Sequence, residues 1–394
     1  MNKKIGLLII SLLLFTGNRL FCQTLSESSE ISLLTIAPGH ELFSFAGHTA
    51  IRVKDTKTGI DINFNYGVFD FRTEGFYLKF LKGTLPYQIG AYNFQQETPY
   101  WFQENRTVTQ QVLNLSLSQK QRMFDFLMNN YQPENREYRY KFFYDNCSTR
   151  VRDVLEFACG DSLTFSQTLN ADKSYRDWLD IYNRKSNNDW TEFGMNLALG
   201  LPADEVTGAN GAMYIPDNLM AAFDSAKVVK NGKIESLVKR KTDLNNDSID
   251  HKSLLIKPFI LFCILFLIIA YFTFLEYQKK KWFLIIDKIL FSITGIIGLF
   301  LLVLWFLTDH GVMNQNLNLL WAFPLMFPAV LFLNRTEGTQ KSLSTLFFIQ
   351  MIFALICIIG FSFLPQSFHP AFIPIQGTVL LRSYLIWKRK NQSN

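Results

Sequence analysis

Hydrophobic and polar positions divide the chain near residue 254. Before it, apolar residues sit in short runs at strand or helix spacing; after it they fuse into long stretches broken by charged clusters. Ile31-Ser32-Leu33-Leu34-Thr35-Ile36 predicts a short strand ended by Pro38-Gly39. Ala46 to Lys54 predicts a second strand. Asp61 to Tyr66 alternates polar and apolar, the period of a half-buried strand, and Asp55 to Gly59 supplies the turn of a hairpin. That hairpin puts His48 on one strand and Asp61, Asn63 and Asn65 on one face of the next. Thr107 to Leu115 predicts a further strand. Ser118 to Tyr131 predicts a helix capped by Ser118, with Met123, Phe126 and Leu127 as its apolar face and Pro133-Glu134-Asn135 as its end. Tyr138 to Tyr144 is aromatic and reads as extended. Val151, Val154, Leu155 and Ala158 fall at i, i+3, i+4 and i+7, so a helix begins at Cys147 and closes at Gly160. Tyr175 to Phe223 reads as helices and loops. Residues 229–253 are polar and charged with few aromatics, the composition of a linker.

The apolar part predicts five membrane spans, at about 254–275, 283–307, 317–333, 343–364 and 371–387. Lys279-Lys280-Lys281, Arg335 with Lys341, and Lys388-Arg389-Lys390 then fall on one side, the cytoplasmic one. The segment before residue 254 lies on the other side. The N-terminus supports the same placement: Lys3-Lys4 and the apolar run Ile5 to Phe15 form a secretory signal over residues 1–23. Phe21 before Cys22 makes a poor lipidation site. The domain boundaries are thus a signal at 1–23, an exported domain at 24–228, a linker at 229–253 and a membrane domain at 254–390.

Of five cysteines, Cys263 and Cys357 fall in apolar runs and Cys22 beside the signal. Cys147 and Cys159 share one helix, twelve residues and roughly 18 Å of rise apart, too far to bond. Cys147 is therefore a free thiol in an exported domain, which flags reactivity. The net charge of +6 is modest and its basic residues form no stripe interleaved with aromatics, so no nucleic-acid site is expected. No residues show metal-ligand spacing and no glycine-rich phosphate loop is present, so no cofactor is expected.

A thiol at a helix start and an imidazole on a strand are the parts of a cysteine nucleophile site. Unpaired N–H groups at the helix start and a protonated His48 would each favour thiolate. The same N–H groups would hold a developing oxyanion. Asp61, Asn63 and Asn65 are candidates to orient the ring, with Asn65 first. His40 is a rival base. Asp309-His310-Gly311 with Asn314, Asn316 and Asn318 marks the outer mouth of a span, where His310, Asn316 and Asn318 are candidate substrate contacts. Arg382, inside the last span, either snorkels or binds a lipid phosphate. The bland alternatives are a buried structural thiol, a structural histidine and a solvated turn.

The runs Phe45-Ala46-Gly47-His48-Thr49-Ala50-Ile51-Arg52-Val53, Asn65-Tyr66-Gly67-Val68-Phe69-Asp70-Phe71 and Tyr144-Asp145-Asn146-Cys147-Ser148-Thr149-Arg150 resemble the circularly permuted NlpC/P60 (papain-like) group, in which the His strand precedes the Cys helix. Over nearly its full length the chain resembles the Bacteroidota lipoprotein N-acyltransferase family, Lnb. Leu201-Pro202-Ala203-Asp204, Tyr214-Ile215-Pro216-Asp217 and Thr308-Asp309-His310 with Asn316 to Leu320 also look like features of that family. The resemblance implies an α+β permuted papain-like (NlpC/P60) periplasmic domain followed by an all-α membrane domain of five helices. It implies a multi-pass protein of the bacterial inner membrane with its catalytic domain in the periplasm. It further implies acyl transfer from a membrane phospholipid, through a thioester on Cys147 with His48 as acid and base, to the α-amino group of a diacylated lipoprotein. Two other readings fit the same residues: a membrane-anchored hydrolase (cell-wall endopeptidase or phospholipid deacylase) and a catalytically inactive membrane adaptor.

Overall fold

The structure, a computed structural model, describes residues 23–39, 41–166, 172–230, 232–245, 256–334 and 340–392. Residues 1–22 of the expected signal, with Cys22, lie outside the described residues, as do His40 and Arg335. The chain folds as an N-terminal sheet-rich domain followed by a helical region.

The first half runs β1 (Glu30–Ile36), β2 (His48–Asp55), β3 (Ile60–Val68), α1 (Phe76–Lys82), β4 (Pro86–Asn93), α2 (Phe94–Gln103), β5 (Val108–Leu113), α3 (Leu117–Tyr131), β6 (Glu137–Arg139) and α4 (Cys147–Cys159). It continues through β7 (Leu163–Thr164), α5 (Tyr175–Lys185), α6 (Asp189–Ala198), α7 (Gly208–Ala212), α8 (Pro216–Ser225), β8 (Lys227–Lys230), β9 (Lys233–Ser236) and β10 (Val238–Asp243). Seven strands form an antiparallel sheet in the order β10-β5-β1-β2-β3-β4-β6. Strand β1 is an interior strand covered on both faces, which is why its apolar run is nearly unbroken. Ile31 and Leu33 join Ile51, Val53, Phe64 and Tyr66 against α3, α4 and α8. Leu34 and Ile36 join Ala50 and Trp101 on the α2 face. Helix α3 is capped by Ser116 rather than Ser118: the Ser116 hydroxyl accepts from Gln119 N–H and the Gln119 side chain accepts from Ser116 N–H.

The expected linker at 229–253 is corrected. Strands β8, β9 and β10 reach into it as far as Asp243, and β10 pairs with β5 from Val238↔Leu113 to Asp243↔Thr109. Strand β10 lies at the sheet edge and carries Lys239, Arg240 and Lys241, so its composition is that of a charged edge rather than a tether.

The helical region contains α9 (Pro258–Lys279), α10 (Leu284–Phe306), a short α11 (Met326–Ala329), α12 (Gln340–Ile359) and α13 (Phe372–Gln392). Among the described residues, three segments, Pro258–Lys279, Leu284–Phe306 and Lys341–Ser362, are long and apolar enough to cross a membrane. The expected third span, 317–333, is not one helix: a 3-10 turn at Leu317–Leu319, then α11, then a second 3-10 turn at Val330–Phe332. Pro324 and Pro328 interrupt it. It crosses α10 at backbone contact, because a Cβ on Gly295 would lie 2.4 Å from Phe327 N and one on Gly298 only 1.9 Å from Ala322 O. The expected fifth span forms α13, whose face includes buried Gln376, Thr378, Arg382 and Ser383.

The two expectations for Arg382 are also corrected. Its guanidinium is fully buried and neither snorkels nor stands free for a phosphate. It donates to both oxygens of Asp287 (2.7 and 3.0 Å) and both of Glu276 (2.6 and 3.2 Å), and to Thr273 Oγ1 at 2.8 Å. One side chain thus ties α9, α10 and α13 together. Removing one member of such a group strands the others as buried charges, at a cost of about 3–5 kcal/mol. Arg382→Met is therefore expected to lower the thermal midpoint of the detergent-solubilised protein sharply. An unchanged melting curve would show that the cluster does not hold the bundle.

Candidate active site

Helix α4 starts at Cys147 because Asn146 ends the preceding turn with extended backbone and caps it. Asn146 Oδ1 accepts from Ser148 N–H (2.8 Å) and Thr149 N–H (2.9 Å), while its amide nitrogen donates to Phe142 O and Tyr214 O. Two of the N–H groups expected to face an anion are therefore already taken. Cys147 is buried, 8% exposed, and unpaired. The Thr49 and Ser148 hydroxyls lie 2.9 Å apart and fasten the helix start to β2. Across the sheet, β3 passes the sulfur's residue at Gly67. A Cβ there would lie 3.9 Å from Cys147 Cβ and 3.3 Å from the Tyr140 ring, and Gly67 has φ of 88°. Only glycine fits that conformation without strain.

His48 and Thr49 are adjacent on β2 and so point to opposite faces. His48 Nε2 lies 2.9 Å from Asn65 Oδ1. Asn65 Nδ2 donates to Glu97 Oε1 and Oε2 at 3.0 and 3.2 Å, and Asn63 Nδ2 donates to Glu97 Oε2 at 2.9 Å. Glu97 thereby fixes which way the Asn65 amide faces. An amide oxygen only accepts, so a neutral His48 carries its proton on Nε2 and keeps its lone pair on Nδ1. Among the three expected orienting residues, Asn65 meets the ring. Asp61 and Asn63 are corrected. The Asp61 carboxylate is engaged by Arg52 at 2.7 and 2.8 Å, and Asn63 turns its amide to Glu97.

Buried Arg106 lies at the same end of the sheet. Its Nε donates to Ala37 O at 2.8 Å, next to Ile36, the residue paired with His48. Burial pushes His48 down to about 4; the Asn65 hydrogen bond opposes this and the Arg106 charge adds to it. Burial pushes the Cys147 thiol up, and hydrogen bonds from Thr49 N–H, the Ser148 hydroxyl, and the Cys147 and Ser148 N–H groups pull it part of the way back. At neutral pH the resting pair is thus thiol and neutral imidazole, not the ion pair expected from the sequence. No hydrogen bond joins the sulfur to the ring in this state. Such an arrangement allows general-base activation of the thiol as it attacks. Among the described residues, no group of three His, Cys, Asp or Glu is placed to hold a metal ion.

The outer-mouth residues do a different job from the one expected. Asn316 Nδ2 donates to Leu197 O and Ala198 O, and Asn318 Nδ2 to Asn196 O and Leu197 O. These are last-turn carbonyls of α6, which lack helical partners. Both asparagines are buried and dock the sheet-rich domain on the helical region rather than facing a substrate. His310 Nε2 donates to Leu81 O at 2.9 Å and belongs to the same interface. Gly200 is needed there too, since a Cβ on it would lie 1.7 Å from Asn314 O. In the Leu201–Asp204 turn, Asp204 pairs with buried Arg176 and accepts from Ser367 N–H across the interface.

Glu97 and Arg106 were missed by sequence reasoning. Glu97 lies on α2, a helix containing Pro99, in a stretch whose sequence pattern assigned no element. Arg106 carries no motif around it. The electrostatics predict the reactivity of Cys147: alkylation by iodoacetamide should climb with pH above neutrality, through the raised thiol range, because only thiolate reacts. A plateau already reached by pH 6, read by intact-protein mass spectrometry, would instead show a stable thiolate–imidazolium pair.

Comparison with known families gives two matches: the Lnb N-terminal periplasmic domain over residues 23–197 and the Lnb transmembrane domain over residues 250–393. No curated protein and no solved structure matches the chain. With both domains of one family in order along a single chain, this is a membrane protein with a periplasmic domain, and it belongs to the Lnb family.

Proposed function

We propose that the chain is a lipoprotein N-acyltransferase of the bacterial inner membrane, with a permuted papain-like catalytic domain and Cys147 as nucleophile. The observation that carries this reading is the relay His48–Asn65–Glu97 in the same domain as a helix-starting cysteine whose sulfur accepts from the N–H of Thr49, the residue after His48. In the first half-reaction His48 Nδ1 takes the thiol proton as Cys147 Sγ bonds to the carbonyl carbon of a phospholipid acyl ester. The ester C–O bond then breaks, and His48 returns the proton to the departing lysophospholipid oxygen. In the second half, the α-amino nitrogen of a diacylated lipoprotein attacks the thioester carbon. His48 takes a proton from that nitrogen and gives it to the leaving sulfur. Cys147 N–H, which Asn146 does not cap, is the donor best placed for the oxyanion. Both substrates are anchored in lipid, which suits a catalytic domain held at the bilayer surface.

Intact-protein mass spectrometry after incubation with phospholipid alone should show one acyl adduct, absent in Cys147→Ser. Adding a diacylated lipopeptide should discharge the adduct and yield a triacylated product. Free fatty acid without that product would instead identify a deacylase. An inactive adaptor would show no adduct, and Cys147→Ala would support growth as well as the unsubstituted protein.

The two halves should respond to pH differently. His48 is a base only when neutral, so adduct formation stays available as pH falls to 5 and is lost through about 4. The acceptor amine, with a pKa near ~8, must also be neutral, so product formation climbs from pH 6 to 8. Quenched-flow measurement of each half separates them, and matching profiles would overturn this assignment. Glu97→Ala frees the Asn65 amide to turn over. The adduct-forming rate is expected to fall roughly 10- to 100-fold, as orienting partners of reactive groups do at metal sites, with Glu97→Gln retaining more. If both variants keep full rate, the relay does not position the base.

A further inference from the structure

The strongest feature that the proposed chemistry leaves unused is the apolar surface of α1. Tyr77 is 82% exposed and Leu78 56%, and Phe80 and Leu81 are exposed beside them. Lys79 and Lys82 interleave with these residues. A contiguous exposed patch of this kind marks a binding surface, and aromatic, leucine and lysine residues together suit a lipid headgroup boundary. Its position in the molecule selects the occupant. Asp309 N–H donates to Lys82 O, His310 Nε2 to Leu81 O, and Arg139 reaches Asp309 at 2.6 Å. Asp309 stands three residues beyond Phe306, the last residue of the apolar helix α10. Phe306 and Leu307 are themselves exposed. The patch on α1 therefore continues the lipid-facing surface of a membrane helix at its outer end.

Behind α1 a row of rings leads inward. Phe80 stacks on Phe76 (6.2 Å between centroids), and Phe76 meets Phe69 at 5.8 Å. Phe69 meets Tyr87 at 5.5 Å, and Tyr87 stacks on Tyr140 at 4.6 Å. The Tyr140 ring ends the row against Gly67, where an added Cβ would also come within 3.9 Å of Cys147 Cβ. The row therefore runs from the exposed helix to the neighbourhood of Cys147, whose charge the Tyr140 hydroxyl feels.

We propose that α1 docks in the outer leaflet of the bilayer, with Tyr77, Leu78 and Leu81 among the acyl chains, and that the aromatic row behind it guides a phospholipid chain from the leaflet to Cys147. The guiding role rests on the acyltransferase reading; the docking does not.

The test uses the full chain in nanodiscs of phosphatidylethanolamine and phosphatidylglycerol, with a nitroxide at Tyr77→Cys and other accessible cysteines replaced. A second label at Lys57→Cys, on the exposed turn at the far end of β2, gives the aqueous reference. Docking predicts that the label at 77 collides several-fold more with oxygen than with a water-soluble nickel complex, relative to the label at 57, as lipid burial requires. Equal collision ratios at the two sites overturn it, whether water or another protein covers α1. For the guiding role, the paired change Tyr77→Asp and Leu78→Asp should lower adduct formation from bilayer phospholipid about tenfold relative to adduct formation from water-soluble p-nitrophenyl butyrate. Equal loss with both donors overturns it. If neither donor acylates Cys147 in the unsubstituted protein, the acyltransferase reading fails, and the nitroxide still decides the docking.

Discussion

The hydroxyls of Thr49 and Ser148 lie 2.9 Å apart, and the rest of the site follows from that contact. It pins the first turn of α4 to one residue of β2. Because side chains alternate along a strand, the residue before Thr49 must face the other way. That residue is His48, and on its face Asn65 and Glu97 wait to fix the ring. A one-residue slip of β2 against β3 would exchange the faces of β2, turning His48 away from Asn65 and Thr49 away from Ser148. The register Ala50↔Asn65 and Ile51↔Phe64 prevents the slip, because Ile51 and Phe64 are buried against the helices. Packing of the core therefore sets the chemistry of the site, although none of the core residues is polar enough to take part.

The second constraint is docking. A helix end normally leaves its last carbonyls to water. Here α6 presents them to Asn316 and Asn318, whose own amides are thereby satisfied in a buried place. Gln366 adds a link from the loop before α13, donating to Asn316 Oδ1 and accepting from Leu317 N–H. Within the helical region the Arg382 cluster holds α9, α10 and α13. Polar contacts thus fix each half and the joint between them. This suits a region in lipid, where apolar side chains gain little by choosing one another over the surrounding chains.

Much of the sheet was legible in the sequence because alternation and turn residues are local signals. His48, Asn65 and Cys147 stood out for the same reason, each on a short element with a clear pattern. What stayed hidden depends on distant partners. Glu97 reads as one more surface acid on α2 until β3 brings Asn63 and Asn65 to it. Strand β10 reads as a linker because its pairing is main-chain and its side chains face water. Arg382 and the outer asparagines announced only that a polar group sits at membrane depth; whether it meets substrate or protein is a tertiary question. The broken third segment was concealed by its apolar composition, and the close approach of Gly295 and Gly298 to it shows only in the structure.

The resting charge state bears on how such a site would treat water. A thiolate paired with imidazolium is always armed, and any ester that reaches it is attacked. In this site burial raises the thiol and lowers the imidazole together, so the proton stays on sulfur until a substrate arrives. In the proposed reaction, attack would then require a proton transfer within the site rather than a standing charge. The same burial would limit access of water to an acyl group on Cys147. An amine delivered from the membrane competes best for a thioester that water reaches poorly. For the proposed reaction, a buried, neutral cysteine and histidine would suit transfer better than hydrolysis, with the polarity of their surroundings, more than the identity of the two residues, carrying that distinction.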